Sequence, residues 1–113
     1  MHEVGITRNI IEIAERHALR ENAQSIASVT VDIGSLSGVV PDAVEFCFEA
    51  CATGTMAEGA RLIVRQIQGR GLCLECRNEF DLDTYTFACP ECGGFSVERL
   101  CGEELRISEM EID

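Results

Sequence analysis

Cys73-Leu74-Glu75-Cys76, answered twelve residues later by Cys89-Pro90-Glu91-Cys92-Gly93-Gly94, decides how this 113-residue chain is organised. A two-residue spacer lets both thiolates of a pair reach one ion, and two such pairs complete a tetrahedron. The glycines after Cys92 permit the tight turn that aims backbone N–H groups at sulfur. The residues between the pairs, with Phe80, Tyr85 and Phe87, are expected to make a short hairpin that closes the site. Four thiolates fill a zinc shell and leave no open position for water. Cys73, Cys76, Cys89 and Cys92 therefore read as a structural Zn2+ site rather than a catalytic one. Three readings compete. Disulfides fit poorly with a reducing compartment. A dithiol redox centre needs only one such pair in a βαβ setting. An iron–sulfur centre also takes four cysteines, but paired knuckles favour zinc.

Working outward, Gly69-Arg70-Gly71 breaks the pattern on one side and Cys101-Gly102 on the other. Before the insert, Ile6, Ile10, Ile13, Ala14 and His17 mark one face of an amphipathic helix over residues 5–20. Glu21 to Gln24 is a polar connection. Val29, Val31 and Ile33 then alternate with Thr30 and Asp32 in a strand that ends at Gly34. Pro41 suits the first turn of a second helix, with Asp42 and Glu45 near its positive end. Val44, Cys47, Phe48 and Cys51 form that helix's apolar face, and Gly54 stops it. Residues 60–68 read as another strand, with Leu62, Val64 and Gln66 facing one way and Ile63, Arg65 and Ile67 the other.

After the insert a strand resumes over 105–112. Its apolar positions change parity, from Leu105 and Ile107 to Met110 and Ile112, which calls for a bulge or for burial on both faces. The expected fold is α/β (α+β): a small mixed three-stranded sheet with two helices, plus an inserted zinc-ribbon domain. Residues 1–68 and 103–113 form the first domain and 69–102 the second, the last strand returning to the first domain's sheet.

Composition narrows the function. The net charge is −11 and the pI about 4.5, a balance that repels phosphate backbones and anionic membranes and argues against nucleic acid as a partner. The insert is acidic too, with Arg70, Arg77 and Arg99 against Glu75, Glu79, Asp81, Asp83, Glu91 and Glu98. It reads as a protein-facing module or a stability clip. No apolar run is long enough to span a membrane. Met1-His2-Glu3 offers no basic leader, and seven cysteines without an export signal predict a cytoplasmic protein. Cys47 and Cys51 sit at i and i+4 on an apolar helix face, so buried core thiols are the favoured reading over a chelate. Cys101 is a spare thiol, and His17 is expected to be half-buried.

His2 differs from His17. The α-amine of Met1, the amide nitrogen of His2 and its imidazole lie within chelate reach of one ion, with Glu3 able to complete the set. Nitrogen donors in a planar array suit Ni2+ or Cu2+. A frayed terminus is the competing reading.

The combination is more specific than its parts. Met1-His2-Glu3 opens an amphipathic helix. Ile33-Gly34-Ser35-Leu36-Ser37 follows a strand, then come Phe46-Cys47-Phe48-Glu49, Gly54-Thr55, Ala57-Glu58-Gly59 and the knuckles. This series resembles the HypA/HybF family of nickel metallochaperones in nickel–iron hydrogenase maturation, essentially from end to end. The resemblance implies a nickel-binding α/β domain and a zinc domain inserted before the last strand. It implies Ni2+ delivery toward the [NiFe]-hydrogenase large-subunit precursor, alongside a HypB-type GTPase. Carried over by residue, it places nickel at Met1, His2 and Glu3 and zinc at the four knuckle cysteines. Some members offer a carboxylate where this sequence has Val40, with Asp42 close by, and the insert here has no histidine.

No catalytic constellation is visible, so an enzyme is not expected. A zinc-ribbon protein–protein adaptor without nickel function and a thiol oxidoreductase are the alternatives, separated by metal analysis. An exposed strand edge leaves a homodimer open.

Overall fold

The computed structural model describes residues 2–86 and 88–113, the side chain of His2 excepted. The elements run α1 (His2–Arg20), β1 (Ile26–Gly34), α2 (Pro41–Ala52), β2 (Arg61–Ile67), β3 (Arg70–Cys73), β4 (Glu79–Asp81), β5 (Val97–Cys101) and β6 (Leu105–Ile112). They build two three-stranded sheets, ordered β2-β1-β6 and β4-β3-β5. β1 pairs parallel with β2 and antiparallel with β6. The mixed sheet, two helices and returning last strand are those the sequence led us to expect.

Helices α1 and α2 cover one face of the first sheet. Ile10, Ile11, Ala14 and Ala18 of α1 and Val44, Phe48 and Ala52 of α2 pack on Ile26, Val29, Val31 and Ile33. The buried stripe of α1 is rotated from the expected one. Ile11 and Ala18 point inward, while Ile13 is 46 % exposed and His17 is exposed beside β6. α1 touches α2 as well as the sheet, so the buried spacing is 7, 10, 11, 14, 18. An apolar spacing alone cannot tell which of two flanks meets a second helix.

β1 is buried on both faces. Its polar residues Ser28, Thr30 and Asp32 are under cover without a helix above them. Neighbouring strands supply the cover. Asp32 lies between the guanidinium Nε atoms of Arg65 (3.4 Å) and Arg106 (3.3 Å) and accepts a hydrogen bond from Ser108 Oγ (3.1 Å). Ser28 Oγ donates to Glu111 (2.7 Å). A buried carboxylate is tolerable only with such partners.

The parity change in β6 is a bulge. Val31 pairs with Ile107 and Thr30 with Glu109, which leaves Ser108 as the extra residue. Leu105, Ile107, Met110 and Ile112 thereby share the helix-facing register of Ile33, Val31, Val29 and Ile26.

The second sheet has its own small cluster of Cys73, Phe80, Leu82 and Cys89, with Val97 and Leu36 packed against it. Leu36 comes from the loop after β1. Its N–H donates to the Gly102 carbonyl (2.7 Å), and Ser35 Oγ accepts from the Gly69 N–H (3.0 Å). Gly34, Gly69 and Gly102 are all buried at this junction. A Cβ on Gly34 would land on the Gly102 carbonyl, and one on Gly69 would strike the Leu82 carbonyl and Leu36. The molecule measures 54 × 28 × 16 Å with a Cα radius of gyration of 17.3 Å. A single sphere-like domain of this length would have about 13 Å. The two sheets lie end to end.

Candidate metal centre

Both cysteine pairs are built on the same turn. Arg77 N–H donates to the Cys73 carbonyl and Gly93 N–H to the Cys89 carbonyl, each at 2.8 Å. The residue four places after the first cysteine takes a left-handed backbone in each, φ +67° at Arg77 and +74° at Gly93. The turns aim N–H groups at sulfur: Cys76 N–H at Cys73 Sγ (3.5 Å) and Gly94 N–H at Cys92 Sγ (3.4 Å). The role expected of the glycines after Cys92 is thus met at Gly94, whereas the first turn reaches the same shape without glycine. The Asn78 side-chain amide, which the sequence did not single out, faces Cys89 Sγ at 3.8 Å.

The four sulfurs all lie within 4.8 Å of one another, with Cys73–Cys92 at 3.5 Å and Cys76–Cys89 at 3.6 Å. Corners of a zinc–thiolate tetrahedron with bonds of about 2.3 Å stand roughly 3.8 Å apart. All seven cysteines are free thiols. Cys73 and Cys89 are buried, Cys76 and Cys92 exposed, so the centre lies at the surface of its sheet.

Electrostatics show what the thiols lack. At Cys89, burial raises the pKa, but the N–H groups of Cys92 and Glu91, the Cys76 thiol and the Asn78 amide outweigh it and bring it down to about 6. Cys73 is also lowered, chiefly by the Cys76 N–H. At Cys92 the Gly94 N–H pulls downward, yet Cys73, Cys76, burial and Cys89 together push the thiol up to about 12. Cys76 is raised too: the Asn78 N–H pulls it down, and burial with Cys89 and Cys73 outweighs that pull. Two sulfurs ionise readily and two resist. Four thiolates this close need a cation among them, and a soft divalent ion with tetrahedral preference fits the donor set.

The hairpin expected from the residues between the pairs does not form there: only β4 lies between them. It pairs back across the first knuckle with β3, which starts at Arg70 inside the expected break, with Phe80 buried between the strands. Tyr85 is 87 % exposed and closes nothing; Phe87 lies outside the described residues. Cys47 and Cys51 are both half-buried, Cys51 packing against the first core, and they line a groove with Val4, Arg8 and Phe46. Cys101 donates to the Gln68 carbonyl (3.3 Å).

Residues 1–112 match the family described as hydrogenase/urease nickel incorporation metallochaperone HypA. The chain belongs to the HypA family. Similar HypA proteins, each called a hydrogenase maturation factor, include that of Geobacter sulfurreducens, 50 % identical with all of both chains covered. That of Chlorobium luteolum is 40 % identical over all of this chain and 97 % of the relative. The solution structure of the Ni metallochaperone HypA from Helicobacter pylori shares the fold at a TM-score of 0.68 and 22 % identity, covering 97 % of this chain and 96 % of that one. A second HypA solution structure gives 0.72 and 24 %, covering 99 % and 96 %.

Within this HypA chain, Met1 and the His2 side chain lie outside the described residues, so the geometry of the N-terminal chelate does too. The backbone of His2 and Glu3 forms the first turn of α1, and the Glu3 carbonyl accepts from Thr7 Oγ1 (2.5 Å). Val40 precedes α2 at its N-cap, 53 % exposed, and Asp42 is exposed in the first turn. No helix is long and apolar enough to cross a membrane among the described residues.

Proposed function

We propose that this HypA-family chain is a non-enzymatic carrier that takes Ni2+ as cargo at Met1, His2 and Glu3. It would deliver the ion to the large-subunit precursor of a nickel–iron hydrogenase in the cytoplasm, together with a HypB-type GTPase. The observation that carries this reading is the match of residues 1–112 to a nickel-incorporation family. The start of α1 supports it: the first amides of a helix have no intrahelical acceptor. The His2 and Glu3 nitrogens are therefore not tied up by helix formation, and a terminal chelate can be exchanged one ligand at a time to an acceptor. Amide deprotonation and a neutral imidazole both couple binding to pH, so nickel affinity falls as pH drops.

Cys73, Cys76, Cys89 and Cys92 hold a resident Zn2+ that cross-links the second sheet. In this reading residues 1–68 with 103–113, and residues 69–102, act as two domains, one for cargo and one held by zinc.

The chain contains no lysine, so its α-amine is the single aliphatic amine. Acylating it with an amine-reactive ester, or changing His2→Ala, should abolish nickel uptake in calorimetric titration while zinc content and circular dichroism stay unchanged. Undiminished nickel binding in both preparations removes the proposed site. A zinc-ribbon adaptor without nickel function is favoured by the exposed Tyr85, Phe95 and Leu74 on the insert. One zinc per chain and no nickel uptake by the unmodified protein would establish that reading instead.

A further inference from the structure

The two edges of the first sheet are unlike. β6 carries the Ser108 bulge, with Glu103 and Glu104 before it and Glu109, Glu111 and Asp113 after it, devices that discourage another strand from pairing. β2 has neither bulge nor acid. Among the described residues it pairs only with β1, in uninterrupted register. The Ile67 carbonyl accepts from Ser35 N–H and so faces inward. By the two-residue period, Ile63 and Arg65 turn their peptide groups inward as well, and Leu62, Val64 and Gln66 direct theirs outward.

Beside this open ladder runs a groove of about 740 Å3 between α2 and β2. Phe48, Ala52 and Leu62 give it apolar surface, and Glu45, Glu49 and Glu58 are its charged groups. Among the described residues no cation lines that groove. Arg61 and Arg65 share the opposite face of β2, where Arg65 is engaged by Asp32.

We propose that the β2 edge and the adjoining groove are a docking surface for an extended, basic segment of a partner protein, which adds as a fourth strand to the sheet. Main-chain hydrogen bonds to Leu62, Val64 and Gln66 supply the register, alternate side chains enter the groove, and the three carboxylates select positive charge. A second copy of this chain is a poor occupant. Two β2 edges paired about a two-fold axis would bring both sets of carboxylates to the same face, in molecules each carrying −11. The proposal does not depend on the nickel reading.

The test is a 1H–15N titration of the metal-loaded, full-length chain with a ten-residue peptide of alternating valine and lysine. A peptide of the same sequence N-methylated on every residue keeps the charge but has no amide N–H to offer the ladder. Amide shifts should centre on Leu62, Val64, Gln66 and residues 57–60. The N-methylated peptide should bind about tenfold more weakly or not at all. Glu45→Gln/Glu49→Gln/Glu58→Gln, all at exposed positions, should weaken the parent peptide about tenfold at low salt and remove most of its salt dependence. Gln66→Pro, which deletes one outward N–H without changing charge, should also weaken it. Shifts centred on β6 or the second sheet, or equal binding of the two peptides, would overturn the proposal. So would a dimer of the chain alone, seen by sedimentation, that protects the β2 amides and excludes the peptide.

Discussion

Arg77 shows what one side chain costs in a position shaped for another. Its turn duplicates the one closed by Gly93, with the same hydrogen bond at 2.8 Å, but its backbone sits at φ +67° with a Cβ attached. A left-handed conformation costs a non-glycine residue about 1 kcal/mol. Arg77→Gly should therefore raise stability by up to about 0.5–1 kcal/mol in chemical denaturation of the metal-loaded protein, offset in part by a freer unfolded chain. Gly93→Val should lower it by more. A clear loss on Arg77→Gly would show that the guanidinium has a role beyond the turn. Asn78, one residue on, faces Cys89 sulfur with its amide at 3.8 Å, a weak contact that helps hold a thiolate.

In β6 the bulge accommodates a sequence whose apolar positions change parity. Removing Ser108 would leave Leu105, Ile107, Met110 and Ile112 in strict alternation, all toward the helices. The deletion should keep the fold and cost only about 1–2 kcal/mol, from the lost Ser108 hydrogen bond to Asp32. Unfolding by the deletion, read as loss of cooperative thermal melting, would mean that the bulge is required to bend the strand. Asp32 retains Arg65 and Arg106 in either case. The neighbouring β1 is a strand whose outer row is polar and buried, which a pattern of alternation cannot announce.

Across the molecule, the second sheet depends on its metal far more than the first. Its buried cluster is two cysteines, Phe80 and Leu82 with two partly buried neighbours. That is too little apolar surface to hold about thirty residues without a cross-link. Stripping the metal with a chelator should abolish amide protection in β3–β5 and preserve it in β1, α1 and α2. Loading at pH 7.5 should release at least the protons of Cys76 and Cys92, both held above the ordinary thiol value of 9.0, as read by an indicator dye.

The signs in pH follow from the same groups. Cys89, drawn below 9.0 to about 6, contributes stabilisation present above its unfolded value and lost as pH falls through about 6. Cys92 runs the other way, its contribution complete below 9.0 and lost as pH rises through about 12. Metal affinity should therefore fall as pH drops from 7.5, because Cys76 and Cys92 must give up protons, and more steeply below about 6, where Cys89 must do so too. Leu36→Ala tests the junction. It should cost about 1–3 kcal/mol and raise the solution radius of gyration, while β1 protection is unchanged. An unaltered scattering profile would assign alignment of the two sheets to the glycine contacts alone.

By itself the sequence determined the two Cys-x-x-Cys knuckles, the order α1-β1-α2-β2-β6 of the first domain, the parity change in β6 and the interruption of the first sheet. Each is written in local spacing, and local spacing sets backbone periodicity and chelate reach. Only the tertiary structure decided which flank of α1 is buried, because that depends on where α2 lies. It placed the Ser28–Thr30–Asp32 row under cover, since the shielding arginines and Ser108 come from strands distant in the chain. It brought Leu36 and three glycines into one junction, made Arg77 the counterpart of Gly93, and left the β2 edge open where β6 is defended. These are relations between residues far apart in sequence, and no local pattern encodes them.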